Sequence, residues 1–150
     1  MFVGEVCTRD VIIIEKSGSV QEAALLMRKH HVGDVVVVEQ QQDKNFPVGI
    51  LTDRDIVVEL LARDVDLNAV SVGDAMSYEL LTANENDALA ETLKHLRNKG
   101  VRRVPVVAED GSLAGILTMD DFIDLFAEQL DDLVSLISRE QKHEQVSRSH

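Results

Sequence analysis

Short, strongly apolar runs alternate along the chain with stretches where apolar residues return at helical spacing, and the chain goes through this alternation twice. An extended segment, Val11–Ile14, precedes Val20, Ala23, Ala24 and Met27, which follow the i, i+3, i+4, i+7 spacing of a helix with one buried face. The β-branched run Val35–Val38 has the length and composition of a buried strand. A second strand ends in Gly49-Ile50-Leu51-Thr52. A helix is then predicted from Asp53, with Ile56, Val57, Leu60 and Leu61 facing inward. The second pass begins with Leu80–Ala83, then a stripe of Leu89, Thr92, Leu93 and Leu96, then the run Val104–Val107. Asp110-Gly111 marks a hairpin turn, a strand closes on Gly115-Ile116-Leu117-Thr118, and a helix follows from Met119 with Phe122, Ile123 and Phe126 inward. The order is β-α-β-β-α, twice.

The two passes also match residue by residue. Val48-Gly49-Ile50-Leu51-Thr52-Asp53-Arg54-Asp55-Ile56 returns as Ala114-Gly115-Ile116-Leu117-Thr118-Met119-Asp120-Asp121-Phe122, 66 positions later. Upstream, Val32–Val38 matches Val101–Val107 at a distance of 69. The difference of three falls in the loop between the paired runs, where insertions are best tolerated. Internal duplication accounts for both observations. The reading places a first copy at 1–63, a linker at 64–73, a second copy at 74–127, a helical extension at 128–142 and a polar tail at 143–150 holding His143 and His150. Copies of roughly 55–65 residues bury little core alone. Helices on one face of each sheet leave the other bare. The expected fold is therefore α/β (α+β), two such units packed sheet to sheet with pseudo-two-fold symmetry, plus a C-terminal helix.

Charge narrows the function. With 15 Lys and Arg against 27 Asp and Glu, the chain carries a formal −12 at pH 7. That argues against nucleic acid and anionic membranes, both of which call for clustered cations. A phosphate-bearing ligand would need a local basic pocket. No stretch reaches the ~20 apolar residues of a membrane-spanning helix, the amino terminus lacks a secretory pattern, and Cys7 is the single cysteine. A cytoplasmic protein without internal disulfide is expected. His30 and His31 fall where a helix end favours cations, and no metal site is expected. In the extension, Phe122, Phe126, Leu130, Leu133 and Ile137 share one stripe that copy one lacks, which points to contact with another subunit.

The chemistry-bearing elements are Thr52 with Asp55 and Thr118 with Asp121. Threonine followed by an acid three places on is the spacing of a capping box, which satisfies free amides at a helix start. A cap alone does not call for Gly-Ile-Leu ahead of it, nor for the neighbouring pair Arg102 and Arg103. Arg54, between two acids, fits a helix-surface ion pair.

On these residues the chain resembles a tandem pair of cystathionine β-synthase-type (CBS) domains, a Bateman module, over about Val6 to Phe126. The carrying signature is Gly-hydrophobic-x-Thr/Ser-x-x-Asp at the end of each second strand, present twice in register. The resemblance implies that adenosine-containing ligands sit between the repeats, with the motif Asp on the ribose hydroxyls and the motif Thr on ribose or phosphate. Charge-assisted bonds to a carboxylate suit the first role. It implies one cleft with Thr118, Asp121, Arg102 and Arg103, walled by Cys7 and Ile12. The second, weaker cleft would hold Thr52, Asp55, Gly33 and Asp34, walled by Met76 and Leu81. Gly33 and Asp34 depart from the basic residues usual there, so the first cleft is expected to take the phosphorylated ligand, unless Arg102 reaches across to the second. The expected role is a freestanding, non-enzymatic regulatory module sensing AMP, ADP, ATP or NAD, pairing as a homodimer through its repeats and C-terminal helix, and acting on an effector protein. The alternatives are a ligand-free oligomerisation module whose motifs only cap helices, and, less in keeping with the residues, an enzyme acting on a nucleotide.

Overall fold

A computed structural model describes residues 1–148. The elements run α1 (Val3–Val6), β1 (Ile13–Glu15), α2 (Val20–His30), β2 (Asp34–Gln41), β3 (Lys44–Thr52), a π-helix at Asp55–Leu61, a 3-10 turn at Leu67–Ala69, α3 (Val72–Ala75), β4 (Ala83–Asn84), α4 (Leu89–Lys99), β5 (Arg103–Val107), β6 (Leu113–Thr118) and α5 (Met119–Arg148). Two three-stranded sheets result, ordered β1-β2-β3 and β4-β5-β6, each with one parallel and one antiparallel pairing. Both sheets carry an irregularity at the same place in the repeat, between Val37 and Val38 and between Val106 and Val107. β3 and β6 approach each other where the sheets meet.

Local chemistry explains the helix boundaries. Ser19 caps α2 by accepting from the Glu22 amide at 3.0 Å, and the chain leaves α2 through His31 in the left-handed region (φ 54°). Copy two makes the same exit through Gly100 (φ 66°), which pays no Cβ penalty there. Val20, Ala23 and Met27 are buried, and so are Leu89, Thr92 and Leu96, but Ala24 is exposed because the buried stripe is narrower than the apolar one.

The two cores are not each built from one copy. Val3 on α1 is fully buried among Leu89, Leu96, Val104, Leu117 and Phe122, the core of copy two. Val72 on α3 is fully buried with Val35, Val37, Leu51 and Met76, the core of copy one. Each repeat is thus closed by a short helix from the segment leading into the other. Val72 and Gly73, assigned by the sequence to a linker, are core residues of this exchange. The exchange also shortens the first strands. Thr8 pairs with Ile116 and Ser77 with Ile50 before the chain turns back, so β1 and β4 begin at Ile13 and Ala83, two or three residues later than the apolar runs suggest.

Val57, Leu61, Ile123 and Phe126 do not face inward. They are 53%, 64%, 57% and 50% exposed, because Ile56, Leu60, Phe122 and Leu125 already fill the space under their helices. α5 continues through the stretch read as a polar tail, including His143, while His150 lies outside the described residues. Beyond Phe126 its apolar residues Leu130, Leu133, Val134, Leu136 and Ile137 all remain exposed. Among the described residues no helix is long and apolar enough to cross a membrane.

Candidate functional site

Both motifs form the predicted capping boxes. The Asp55 amide donates to Thr52 Oγ1 at 3.0 Å while Asp55 Oδ2 accepts from the Thr52 amide at 3.0 Å. Asp121 Oδ2 accepts from the Thr118 amide at 2.9 Å, and the Asp121 amide approaches Thr118 Oγ1 at 3.4 Å. The motif glycines have a separate steric reason. A Cβ on Gly115 would stand 2.7 Å from the Thr8 carbonyl oxygen and 2.8 Å from Cys7 Sγ, and one on Gly49 would stand 2.5 Å from Met76 Sδ and 2.8 Å from the Ser77 carbonyl oxygen. The crossing segments lie directly on the motif strands, so only glycine fits. This places Cys7 beside the Gly115 strand end and Met76 beside the Gly49 strand end.

The two sites diverge beyond the motifs. On the Asp55 side a cleft of about 600 Å³ opens between the copies. Gly33, Ile50, Thr52, Asp53 and Arg54 border it from copy one, and Ser77, Glu79, Leu80, Leu81, Val101, Arg102 and Arg103 from copy two. Leu80, Leu81, Val101 and Ile50 supply an apolar wall; the arginines supply cations at one end. Gly33 lets Asp53 come close, since a Cβ there would meet Asp53 Oδ2 at 3.2 Å. Asp55 is half-buried at the helix start, with Oδ2 engaged in the cap.

The arginine pair was assigned by the sequence to the Asp121 cleft, and its placement differs. Arg103 opens β5 opposite Thr118 in register, but β5 begins at the boundary of the repeats, and the guanidinium crosses to Asp34 at the start of β2. Arg102 and Arg103 both border the Asp55 cleft. Asp34 is the better buried partner, its side chain 12% exposed against 38% for Arg103. Burial pushes the Asp34 carboxyl above its ordinary range, Arg103 pulls it back, and the nearby Asp53 pushes it up again. Arg54, expected in a surface ion pair, also borders this cleft.

The Asp121 side is smaller and acidic. Glu5, Asp121, Asp124 and Glu128 surround a hollow of about 450 Å³ with Met1, Val6 and Leu125. Asp121 Oδ1 accepts from the Thr8 hydroxyl at 3.2 Å, so both its oxygens are engaged. Arg9 is tied to Glu85 at 3.1 Å, to the Ala114 carbonyl at 3.1 Å and to the Gly4 carbonyl at 2.8 Å. Burial raises the Cys7 thiol above its usual value, and its side chain packs against the core of copy two. Ile12 packs against the core of copy one.

Thr8, Arg9, Asp53, Glu79, Leu80 and Val101 were not singled out as site residues by the sequence. A signal for the first group was present. Val3-Gly4-Glu5-Val6-Cys7-Thr8-Arg9-Asp10 and Val72-Gly73-Asp74-Ala75-Met76-Ser77-Tyr78-Glu79 repeat at the same offset of 69. The duplication therefore extends to the crossing segments. Tyr78, at the place of Arg9, likewise donates back to its helix, to the Gly73 carbonyl at 2.6 Å.

The CBS domain family matches residues 3–62 and 72–128, and the chain belongs to that family. It is 38% identical over 121 residues to a protein of Methanopyrus kandleri, covering 81% of this chain but only 60% of that protein. It is 35% identical over 119 residues to the CBS domain-containing protein YhcV of Bacillus subtilis, covering 79% of this chain and 81% of the relative. Among solved structures, the CBS domain pair of protein MJ0100, in complex with 5'-methylthioadenosine and S-adenosyl-L-methionine, superposes with a TM-score of 0.73 at 25% identity, covering 86% of this chain and 98% of that one.

Proposed function

We propose that this chain is a regulatory binding module that takes an adenosine-containing ligand into the Asp55 cleft and passes on the occupied state through the mutual placement of its repeats. The carrying observation is that Thr52 of copy one's motif, with Asp53 and Arg54 beside it, and copy two's arginines border one cleft of about 600 Å³, within the range that holds small ligands. In this reading Leu80, Leu81 and Val101 stack against the base, Asp55 Oδ1 and Asp53 accept from the ribose hydroxyls, and Arg102 meets a phosphate. The adenosine ligands of the MJ0100 domain pair support the ligand class. A ligand touching both copies shifts their placement only by binding one arrangement better than another, and a partner protein would read that shift. The cleft's hydroxyl, carboxylate and guanidinium groups serve binding, and the module itself performs no reaction.

The same reading gives α5 a second copy of this chain as its partner. Ile123, Phe126, Leu130, Leu133 and Ile137 alternate at spacings of 3 and 4, the seam of a two-helix coiled coil, and are 48% to 62% exposed. An isolated helical overhang with exposed leucines has little to hold it. Its first half carries Asp120, Asp121, Asp124, Glu128, Asp131 and Asp132, while its second mixes Arg139 and Lys142 with Glu140 and Glu144. Antiparallel pairing of two copies keeps the acidic halves apart.

A competing reading, favoured by the two observed capping boxes, makes the motifs purely structural. Thermal unfolding with AMP, ADP, ATP, NAD, S-adenosylmethionine and methylthioadenosine separates them. At 100 times its dissociation constant a ligand adds about 2.7 kcal/mol, and for a phosphorylated ligand the rise should fall sharply in Arg102→Ala. No rise with any compound leaves the structural reading standing.

A further inference from the structure

We propose that Asp34 acts as an internal anion that occupies Arg103, and so sets how much the Asp55 cleft gains from a ligand's phosphate. The proposal rests on reading that cleft as an adenosine site. Asp34 and Arg103 are 69 positions apart, the spacing of the duplication in this region, so they are the same position in the two copies. Each opens its middle strand, each stands opposite its motif threonine in register, and they meet across the boundary between repeats. Had both copies kept the same charged residue, like charges would face each other there. Opposite charges instead make a bond between the copies.

Arg103 therefore has two competing uses. It borders the cleft beside Arg102, and it is already engaged by a carboxylate that is 12% exposed. Asp34 cannot readily turn to solvent: its side chain is 12% exposed, burial raises its titration, and the Arg103 guanidinium is what pulls it back. A phosphate entering the cleft meets Arg102, which is exposed and in no ion pair among the described residues. To use Arg103 as well, it must draw the guanidinium from Asp34 and leave that carboxylate half-buried and unpaired. Such a loss is costly. Adenosine without a phosphate makes no such demand. The cleft thus gains from a phosphate through Arg102 but not through Arg103, and Asp34 is the residue that sets how large that gain is.

Calorimetric titration of AMP and adenosine into the wild-type chain, Asp34→Asn, Arg103→Gln and the double variant tests this. A hydrogen bond to a charged group corresponds to roughly tenfold or more in affinity. Asp34→Asn should therefore tighten AMP by about tenfold while adenosine stays within a factor of two. The double variant should lose that gain. Arg103→Gln alone should leave the ratio of AMP to adenosine affinity nearly unchanged, and this arm stands even if Asp34→Asn folds poorly. An unchanged ratio in Asp34→Asn, or a large loss of AMP affinity in Arg103→Gln, overturns the inference while the adenosine site survives. Binding of neither compound to any variant overturns the site and the inference together.

Discussion

The two copies share their sheets, caps and crossing segments, yet one cleft mixes arginines with acids and the other is acidic throughout. Copy one's motif faces Arg102 and Arg103 across an apolar wall; copy two's motif faces Glu5, Asp124 and Glu128, with Asp121 held by Thr8. The difference arises from few positions. Gly33 and Asp34 stand where copy two has Arg102 and Arg103, and Thr8 and Arg9 stand where copy two has Ser77 and Tyr78. In a duplicated fold whose copies meet at a pseudo-two-fold axis, a basic residue in one copy can serve the cleft of the other. Asymmetry of sequence then becomes asymmetry of charge between the two clefts.

The shared part of the comparison is the most sensitive to substitution. Gly115→Ala should destabilise the chain by about 3 kcal/mol and Gly49→Ala by about 2 kcal/mol, near the upper range for overpacking a tight contact. The order follows from what each Cβ meets. Each Cβ meets a crossing carbonyl, Thr8 at 2.7 Å for Gly115 and Ser77 at 2.8 Å for Gly49, but the other close contact is the short Cys7 side chain at Gly115 and the flexible Met76 side chain at Gly49. Urea unfolding of both variants measures it. Equal or reversed losses would mean that the two crossings are not packed as described.

The second region of difference is α5, which copy one does not match. Leu133→Lys places a charge in the middle of the proposed seam, where Leu133 is 53% exposed in the single chain. The expected result is a fall from dimer to monomer mass by light scattering at micromolar concentration, with dimer affinity lowered by about tenfold or more. Little change in the stability of the folded repeats themselves is expected. An unchanged mass would assign the exposed stripe to something other than a second copy.

The sequence made most of the fold legible because duplication supplied the alignment that a single chain normally lacks. The β-branched runs became β2 and β5, the Gly-Ile-Leu-Thr runs ended β3 and β6, and the capping spacing became real caps. What failed did so for identifiable reasons. Helical periodicity shows that Val57, Leu61, Ile123 and Phe126 form apolar faces, but not whether their own domain or another subunit covers them. Chain order shows which copy supplies Arg102 and Arg103, but not which cleft receives them, because that depends on where β5 begins relative to the boundary. That the duplication reaches α1 and α3 was readable from the repeat Val3-Gly4 and Val72-Gly73, at a place where composition alone suggested a linker, but which core each helix closes was not.

The smallest effect concerns a contact that ties the copies together at the far end of the sheets. Lys44 bonds Asp110 at 2.6 Å between the two hairpin tips, and the Phe46 ring lies against Gly111, 3.8 Å from where its Cβ would be. Lys44 first, then Ser112, holds the Asp110 carboxyl far below its ordinary value. A carboxyl depressed in the folded state stabilises above its unfolded pKa of about 3.9, and that contribution fades as pH falls toward the folded value. Lys44→Met should therefore melt slightly below wild type at pH 7, by a constant margin down to about pH 5, and the margin should shrink below about pH 4. Both partners are largely exposed, so added salt should shrink it too. A margin that ignores both acid and salt would assign the tie to Phe46 packing on Gly111, and the tips would then couple the copies by shape rather than by charge.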